Sequence, residues 1–324
     1  MSVLGAGVVN DPSNKSLRFD LLKFGLESFC EEMLKGGAPL KFSDDQPVVG
    51  RFFAAGCQTQ ILDEENRKSF IVQYRGKGYA YGNPIGRVGF EAAGLIEYAP
   101  DFQLHEGALY VYFRPRLVDT SSFKALMVES TVVETALGAV GVNPESLGKR
   151  IVDSQLRRGF TVVRLSSSGE TEFGMGIIPV GERPFHPFQV ETADKRVIVN
   201  ERTEVHDGQQ DFIGAFAIEG SGQAVYFTLS VDGAPSINAV VVPEAQGGPL
   251  IDAYVKERGP RPIPAPALLD EPVVAGQPYR RFLPLPEGRY YLVLDHSHRA
   301  APAPTPSAER AAKVDYLLLV GDAP

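Results

Sequence analysis

This chain of 324 residues is long for a single domain, and its hydrophobic fraction of 44% is enough to build a substantial core. The formal net charge of −8 argues against a nucleic-acid partner, because such proteins need a basic surface to displace counterions. No apolar run approaches the roughly 18 residues that a membrane-spanning helix needs, so we expect no transmembrane segment.

The N-terminus lacks the basic stretch and the long apolar stretch of a secretory signal peptide. Two interpretations stay open. The chain is either a cytoplasmic protein, or the mature form of an exported protein that has lost its leader. In the second case, residues 1–15 are a short tether before the first domain.

The clearest helix is predicted at Ser16–Lys35. Large apolar residues recur there at spacings of three and four, which places them on one helix face. These residues are Phe19, Leu22, Leu26, Phe29 and Met33. We expect this face to pack on the sheet predicted next along the chain. The interface is either a filled core or, as the alternative, a space that holds an apolar ligand.

Two facing β-strands are predicted within Arg87–Val118. The first strand is apolar at every second residue, the pattern of a sheet with one buried face. The residues of that face are Val88, Phe90, Ala92, Gly94, Ile96 and Tyr98. Further helices are predicted at Glu129–Val140 and Pro144–Arg158, followed by a hairpin at 160–178. Residues 16–180 are therefore predicted to form an α+β domain, with helices on an antiparallel sheet.

The sequence pattern changes after residue 180. Residues 181–203 are rich in proline and polar side chains and are predicted to be a linker. Within 204–324, short runs of alternating apolar residues are separated by glycine and proline turns. This pattern predicts an all-β domain of seven strands, a sandwich or jelly roll, with one of the strands at 250–257.

The last part of the chain contains QPYRRFLPLPEGRYYLVLDHSH and closes with KVDYLLLVGD. This succession resembles the end of bacterial pre-peptidase C-terminal domains, over roughly residues 203–324. The whole chain is also similar in style to uncharacterised bacterial envelope lipoproteins. The element order of the first domain resembles lipid-binding lipoproteins in which a curved sheet wraps around a long helix. These resemblances imply an exported protein whose β-sandwich is an accessory, non-catalytic module.

The two cysteines fall in the same predicted domain. Cys30 lies beside the apolar face of the helix, and Cys57 ends an apolar strand. In an oxidising compartment a disulfide between them would contribute roughly 3–4 kcal/mol in the chain-entropy model. The alternative is two separate buried thiols, which a reducing compartment favours.

Histidines cluster at Asp295-His296-Ser297-His298. On a strand, His296 and His298 would point to the same face and could bind a metal ion. A third ligand would have to come from elsewhere, such as His206 or Asp207. The alternative is a polar strand end that runs into a loop. We assign no metal and no other cofactor.

The best candidate binding surface lies on the second of the two facing strands. Tyr110, Tyr112, Arg114 and Arg116 bring aromatic and basic side chains together there. On an open sheet face, such side chains suit recognition of a protein or a glycan. The alternative is that helices cover this face.

The sequence contains no nucleophile elbow, metalloprotease motif, P-loop or dinucleotide-binding motif, so no catalytic residue is assigned. These observations favour a non-catalytic protein of the periplasm or cell envelope that recognises a protein, glycan or lipid or has a structural role there. The alternatives are an enzyme whose site lies at the domain junction and a cytoplasmic scaffold. A deep pocket with convergent polar groups would favour the enzyme.

Overall fold

The structure, a computed structural model, describes residues 7–8, 10–26, 29–82, 86–129, 153, 156–165, 171–190, 194–259, 261–297 and 311–324. Within these residues, no helix has the length and apolar character needed to span a bilayer. The predicted helices at 129–140 and 144–158 fall almost wholly outside the described residues.

The first half of the chain forms a curled antiparallel sheet of seven strands in sequential order. The predicted pairing of two strands within 87–118 is confirmed, and the pair extends well beyond those limits. Register shifts at three points of this pair mark bulges, which bend a sheet. The strands are β1 (Gly37–Leu40), β2 (Gly50–Glu64), β3 (Arg67–Gly82), β4 (Gly86–His105), β5 (Ala108–Val128), β6 (Phe160–Leu165) and β7 (Thr171–Met175).

Two helical segments, α1 (Lys15–Leu26) and α2 (Phe29–Met33), occupy the region predicted as one helix. Leu26 is buried in the apolar core of the curled sheet, and the Phe29 ring lies 5.2 Å from the Phe70 ring between centroids. The predicted packing of this apolar face on the sheet is thus confirmed. Gly94 of the same face leaves no space against the sheet, because a Cβ there would overlap the Asp119 carbonyl oxygen and the Tyr74 hydroxyl.

The second half contains two four-stranded antiparallel sheets, with strand orders β13-β10-β15-β8 and β12-β11-β14-β9. Their facing sides share one apolar core, as in a β-sandwich. The strands are β8 (Arg196–Val205), β9 (Gln210–Ile218), β10 (Gln223–Asp232), β11 (Ser236–Pro243), β12 (Leu269–Val274), β13 (Tyr279–Pro284), β14 (Gly288–Asp295) and β15 (Ala312–Asp322).

The expectation of an α+β first domain with helices on a sheet is wrong, because the structure is mostly β. α1 and α2 have only 12 and 5 residues. The core of the curled sheet comes mainly from its own strands, whose aromatic side chains meet as the sheet bends. The division of the chain into two domains at the predicted boundaries stays a prediction.

Two elements of the second half also differ from the sequence prediction. The strand predicted at 250–257 belongs to helix α3 (Glu244–Lys256), which buries Leu250, Ile251, Tyr254 and Val255. Spacings of three and four residues between these side chains mark one face of a helix. An apolar stretch this short, however, cannot be told from a buried strand by its sequence alone. Strand β8 lies largely within the predicted linker.

The segment between β7 and β8 is fixed to both halves of the molecule. The Asp44 carboxylate accepts hydrogen bonds from the Met175 and Phe185 amides at 3.1 and 2.6 Å. The Asn200 side chain accepts from the Phe188 amide at 3.2 Å and donates to its carbonyl at 2.7 Å. Several backbone groups of this segment are therefore paired with side chains of both halves.

Candidate functional site

The curled sheet and the sandwich meet in an apolar cluster of their own. It combines Phe53 and Tyr79 of the curled sheet with Phe212 of the sandwich and the buried face of α3. β4 and α3 approach so closely that a Cβ at Gly89 would overlap the Val255 carbonyl oxygen. A glycine is therefore required there for the two halves to pack.

A buried ion pair lies in this junction. Arg51 of β2 donates to both carboxylate oxygens of Asp211 of β9, at 2.7 and 2.8 Å, and the two side chains are 3% and 5% exposed. Arg51 also donates to the Tyr316 hydroxyl at 2.9 Å, and the Tyr79 hydroxyl donates to Asp211 at 2.7 Å. Each buried charge therefore has a partner of opposite sign, as a charge removed from solvent needs.

The electrostatics of this network keep Asp211 ionised. Burial alone would raise its pKa, but the Arg51 charge and the hydrogen bonds from Arg51 and Tyr79 hold the pKa below its usual value. Burial also raises the pKa of Tyr79, and the negative charge of Asp211 acts in the same direction. Tyr79 therefore stays a hydroxyl donor.

A cleft of about 220 Å³ opens at the same junction. Phe53, Ile251 and Tyr291 supply apolar wall surface. Lys77, Arg289 and Glu244 supply charged groups, and Lys35 also lines the cleft. Apolar walls with a few placed polar groups are typical of small-molecule sites, although this cleft is smaller than a drug-sized pocket.

The charged groups of the cleft are engaged with one another and with its surroundings. Lys77 forms an ion pair with Asp252 of α3. Arg289 of β14 lies 3.0 Å from a Glu244 carboxylate oxygen and donates to the Lys35 carbonyl. Burial lowers the pKa of Lys77, and the nearby Lys256 lowers it further. The Glu91 carboxylate acts on the pKa of Lys77 in the opposite direction.

Two consecutive glycines of α3 shape the cleft wall. A Cβ at Gly247 would overlap the Tyr291 ring, so that position packs α3 against β14. A Cβ at Gly248 would meet nothing within 4 Å. The missing side chain of Gly248 leaves open space in the cleft.

A second, much smaller cavity of about 10 Å³ lies beside the buried ion pair. Glu204 lines it, and its carboxylate is 2.9 Å from His206 Nε2. The His206 ring stacks on Tyr81, which also lines the cavity. The contact with His206 lowers the pKa of Glu204, while burial acts against it. This space fits one water molecule rather than an organic ligand.

The four residues predicted as an exposed binding surface are not presented together. Tyr110 and Tyr112 are buried, at 3% and 4% exposure, and pack with Ile177 and Val180. The segment after β7, rather than a helix, covers them, and the Gly181 amide donates to the Tyr110 hydroxyl at 3.1 Å. The predicted exposed aromatic face is therefore wrong.

The two arginines of that set remain on the surface. The Arg114 guanidinium lies 5.1 Å from the centre of the Tyr112 ring. Arg116 donates to the Ser69 hydroxyl at 2.8 Å and lies 3.9 Å from the Glu97 carboxylate. Arg67 and Ser69 also donate to Glu97, and Arg67 in particular lowers the pKa of Glu97. This cluster ties β3, β4 and β5 together.

Of the two histidines predicted as a possible metal site, His296 lies within the described residues and His298 lies outside them. His296 is buried, and its Nδ1 lies 2.9 Å from the Val205 carbonyl oxygen. Among the described residues, no three His, Cys, Asp or Glu side chains converge on a possible metal position. His296 thus anchors the end of β14 to β8.

Cys30 and Cys57 form a disulfide in the structure, with their Cα atoms 5.3 Å apart. The bond ties α2 to β2, beside the aromatic core that Phe29 enters. It fixes the short helical segment to the sheet that it covers.

The junction residues were missed by the sequence analysis, although one signal was present. Arg51 interrupts the apolar run VVGRFFAA, and Asp211 precedes the apolar run FIGAFAI. A charged residue inside a buried strand needs a partner of opposite charge. Nothing in the sequence shows which two such residues meet across a separation of 160 positions.

No protein-family model matches this chain, and neither does any curated protein.

Proposed function

We propose that this chain is a non-catalytic binding protein of the periplasm or cell envelope, and that it holds part of an envelope component in the junction cleft. The observation that carries the proposal is the cleft itself, where apolar walls adjoin the charged groups of Lys77, Arg289 and Glu244. Such a wall can hold an apolar body and orient its polar end.

The disulfide supports the proposed compartment. Structural disulfides persist in oxidising environments and are rare in the cytosol of most organisms. Cys30 and Cys57 are bonded to each other, and the described residues contain no free cysteine. A disulfide that holds α2 on the sheet fits an exported chain better than a cytoplasmic scaffold.

A fragment screen by ligand-observed NMR tests the binding function. The Gly248→Phe variant places a ring in the cleft from a position with open space around it. Ala245→Phe adds the same ring to an exposed position of α3 and is the matched control. We expect fragments to bind the natural protein and the control but not Gly248→Phe. Equal binding to all three proteins would reject the cleft as the site.

One observation favours a second candidate, an enzyme that works at the junction. Glu204 and His206 form a close carboxylate–imidazole pair beside a cavity of the size of one water molecule. Such a pair is a general acid–base unit when substrate can reach it. Turnover of ester or phosphate substrates that is abolished by His206→Gln, with an unchanged circular dichroism spectrum, would support this candidate over the first.

A further inference from the structure

The inference concerns the chemical class of the ligand and rests on the proposed function. Three cationic residues line the junction cleft, and each of them has a carboxylate partner. The pairs are Lys77 with Asp252, Arg289 with Glu244, and Lys35 with Glu31. An ionised ligand would lose its hydration in the cleft without meeting a charge of opposite sign that lacks a partner. Such a loss is unfavourable, so the balance of charges disfavours anions and cations alike.

Two of these ion pairs also connect the walls of the cleft. Lys77 belongs to β3 of the curled sheet and Arg289 to β14 of the sandwich, and both pair with carboxylates of α3. Arg289 donates in addition to the Lys35 carbonyl. An ionic ligand would compete with contacts that join α3 to both halves of the molecule. An uncharged ligand leaves all of them in place.

One polar group of the cleft wall is not engaged in this way. Tyr291 lines the cleft and is 7% exposed, and its hydroxyl makes no hydrogen bond to another residue that the structure describes. Burial raises the pKa of Tyr291, and the Glu244 carboxylate acts in the same direction against Arg289, so the hydroxyl keeps its proton. A tyrosine hydroxyl in so buried a place normally has a hydrogen-bond partner. An acceptor atom of the ligand can supply that partner.

The size and the apolar surface of the cleft limit the rest of the ligand. A volume of about 220 Å³ admits a ring or a short branched chain but not a whole lipid. Phe53 and Ile251 line the cleft together with Tyr291, and the centroids of the Phe53 and Tyr291 rings are 6.5 Å apart. A compact apolar body that carries one acceptor atom matches these features.

We propose that the junction cleft binds an uncharged group, a compact apolar body with a hydrogen-bond acceptor to which the Tyr291 hydroxyl donates. Phe53 and Ile251 contact the apolar body, and the ion pairs around the cleft stay closed when the ligand enters. The cleft therefore selects by the absence of charge on the ligand.

Three probes of matched shape test this preference. Acetophenone, benzoate and benzamidinium each carry a phenyl ring and a planar end of similar size, which is neutral, anionic or cationic. Saturation-transfer NMR and competition titrations give their relative affinities for the intact protein. We expect acetophenone to bind about tenfold more tightly than either ion, because each ion loses hydration without gaining a partner.

A variant of the hydroxyl tests the part played by Tyr291. Tyr291→Phe keeps the ring and removes the hydroxyl, so it should weaken acetophenone binding about three- to tenfold, the effect of one hydrogen bond. Tyr226→Phe is the matched control, because the Tyr226 hydroxyl donates to the Asp322 carbonyl at an exposed place on the sandwich. This control should leave the affinity unchanged.

The position of the probe is tested in two ways. Gly248→Phe should abolish acetophenone binding, and Ala245→Phe should not. Matching circular dichroism spectra of all variants exclude misfolding as the cause of a loss. Intermolecular nuclear Overhauser effects between the acetophenone methyl group and the Ile251 side chain locate the probe without any variant.

The outcomes separate the two proposals. Binding of benzoate or benzamidinium that is as tight as that of acetophenone, and is lost in Gly248→Phe, would overturn the uncharged class and leave the binding function in place. Acetophenone binding that is unchanged in Tyr291→Phe would overturn the role of the hydroxyl. Absence of all binding, or binding that Gly248→Phe does not alter, would overturn both the ligand class and the cleft.

Discussion

The curled sheet and the sandwich enclose their cores by different means. In the sandwich, each four-stranded sheet covers the other, and strands such as β10 and β14 turn apolar side chains inward at alternate positions. Among the described residues, no second sheet covers the core of the curled sheet. Its concave face is filled by its own aromatic rings and by α1 and α2, with the disulfide holding α2 in place.

Both regions contain buried charged groups, but their partners differ: Glu97 of the curled sheet pairs with half-exposed arginines of its own region, whereas the Arg51–Asp211 pair at the junction is buried on both sides. The sandwich core is closed by apolar contacts alone, and the curled sheet is closed by a helical cover and a covalent bond. The junction joins two preformed surfaces, where Arg51 and Asp211 fix a single arrangement. Variants of the ion pair, the disulfide and the β4–α3 contact test whether the junction and the curled sheet are stabilised separately.

The largest expected effect comes from Asp211→Ala. The change leaves the Arg51 guanidinium buried without its carboxylate, which costs roughly 3–5 kcal/mol in the free energy of unfolding. Asp315→Ala is the control, because Asp315 pairs with Arg202 at 2.6 and 3.1 Å on a more exposed surface. We expect that control to lose less than about 1 kcal/mol in urea denaturation. Similar losses in the two variants would contradict the special role of the junction.

Removal of the disulfide is expected to affect the curled sheet selectively. The double change Cys30→Ser and Cys57→Ser releases a crosslink with a sequence separation of 27 residues. The chain-entropy model predicts a loss of roughly 3–4 kcal/mol. Hydrogen exchange should increase first in α2 and β2 and leave β10 and β14 protected. A uniform increase over both regions would show that the two cores do not open separately.

A smaller loss is expected when the contact between β4 and α3 is overpacked. Gly89→Ala places a methyl group against the Val255 carbonyl, and relief of that overlap costs roughly 1–3 kcal/mol. Gly248→Ala is the control on α3, where the added methyl group meets no other element within 4 Å, so we expect a smaller change in stability. Thermal denaturation measures the change in stability of each of the two variants. An unchanged midpoint for Gly89→Ala would mean that the two regions tolerate a shift at the junction.

Part of this arrangement is readable from the sequence. The alternation through Val88, Phe90 and Ile96 predicts the buried face of β4, and the helical spacing of Leu22, Leu26 and Phe29 predicts the segment that covers it. These are local patterns, in which neighbouring residues report one buried surface. The curl is not readable, because it depends on bulges that shift the register of β4 and β5 by single residues.

The candidate cleft could not be predicted, for a related reason. Lys77, Gly248 and Arg289 come from three elements that are far apart in sequence, and only the packing of α3 between the two halves brings them together. The prediction of an exposed face at Tyr110 and Tyr112 is wrong for a similar reason. Alternation identifies two sides of a strand but cannot show that a later segment covers the second side.

The smallest expected effect is a dependence of stability on pH. Because the pKa of folded Asp211 lies below its unfolded value of about 3.9, its contribution is complete above that value and is lost as the pH falls below it. We expect the difference in unfolding free energy between the natural protein and Asp211→Asn to shrink between pH 5 and pH 3. A difference that grows over this range would contradict the sign of the shift.

The hydrogen bonds that hold the segment between β7 and β8 have a consequence for cleavage of the backbone. Asp44 holds Phe185, and Asn200 holds Phe188, so a single cut near residue 190 would break the chain without removing either anchor. The two pieces would still share the junction cluster and the Arg51–Asp211 pair. They should therefore remain one particle on a sizing column and separate only in denaturant. Expressed as separate genes, they should reassemble by fragment complementation.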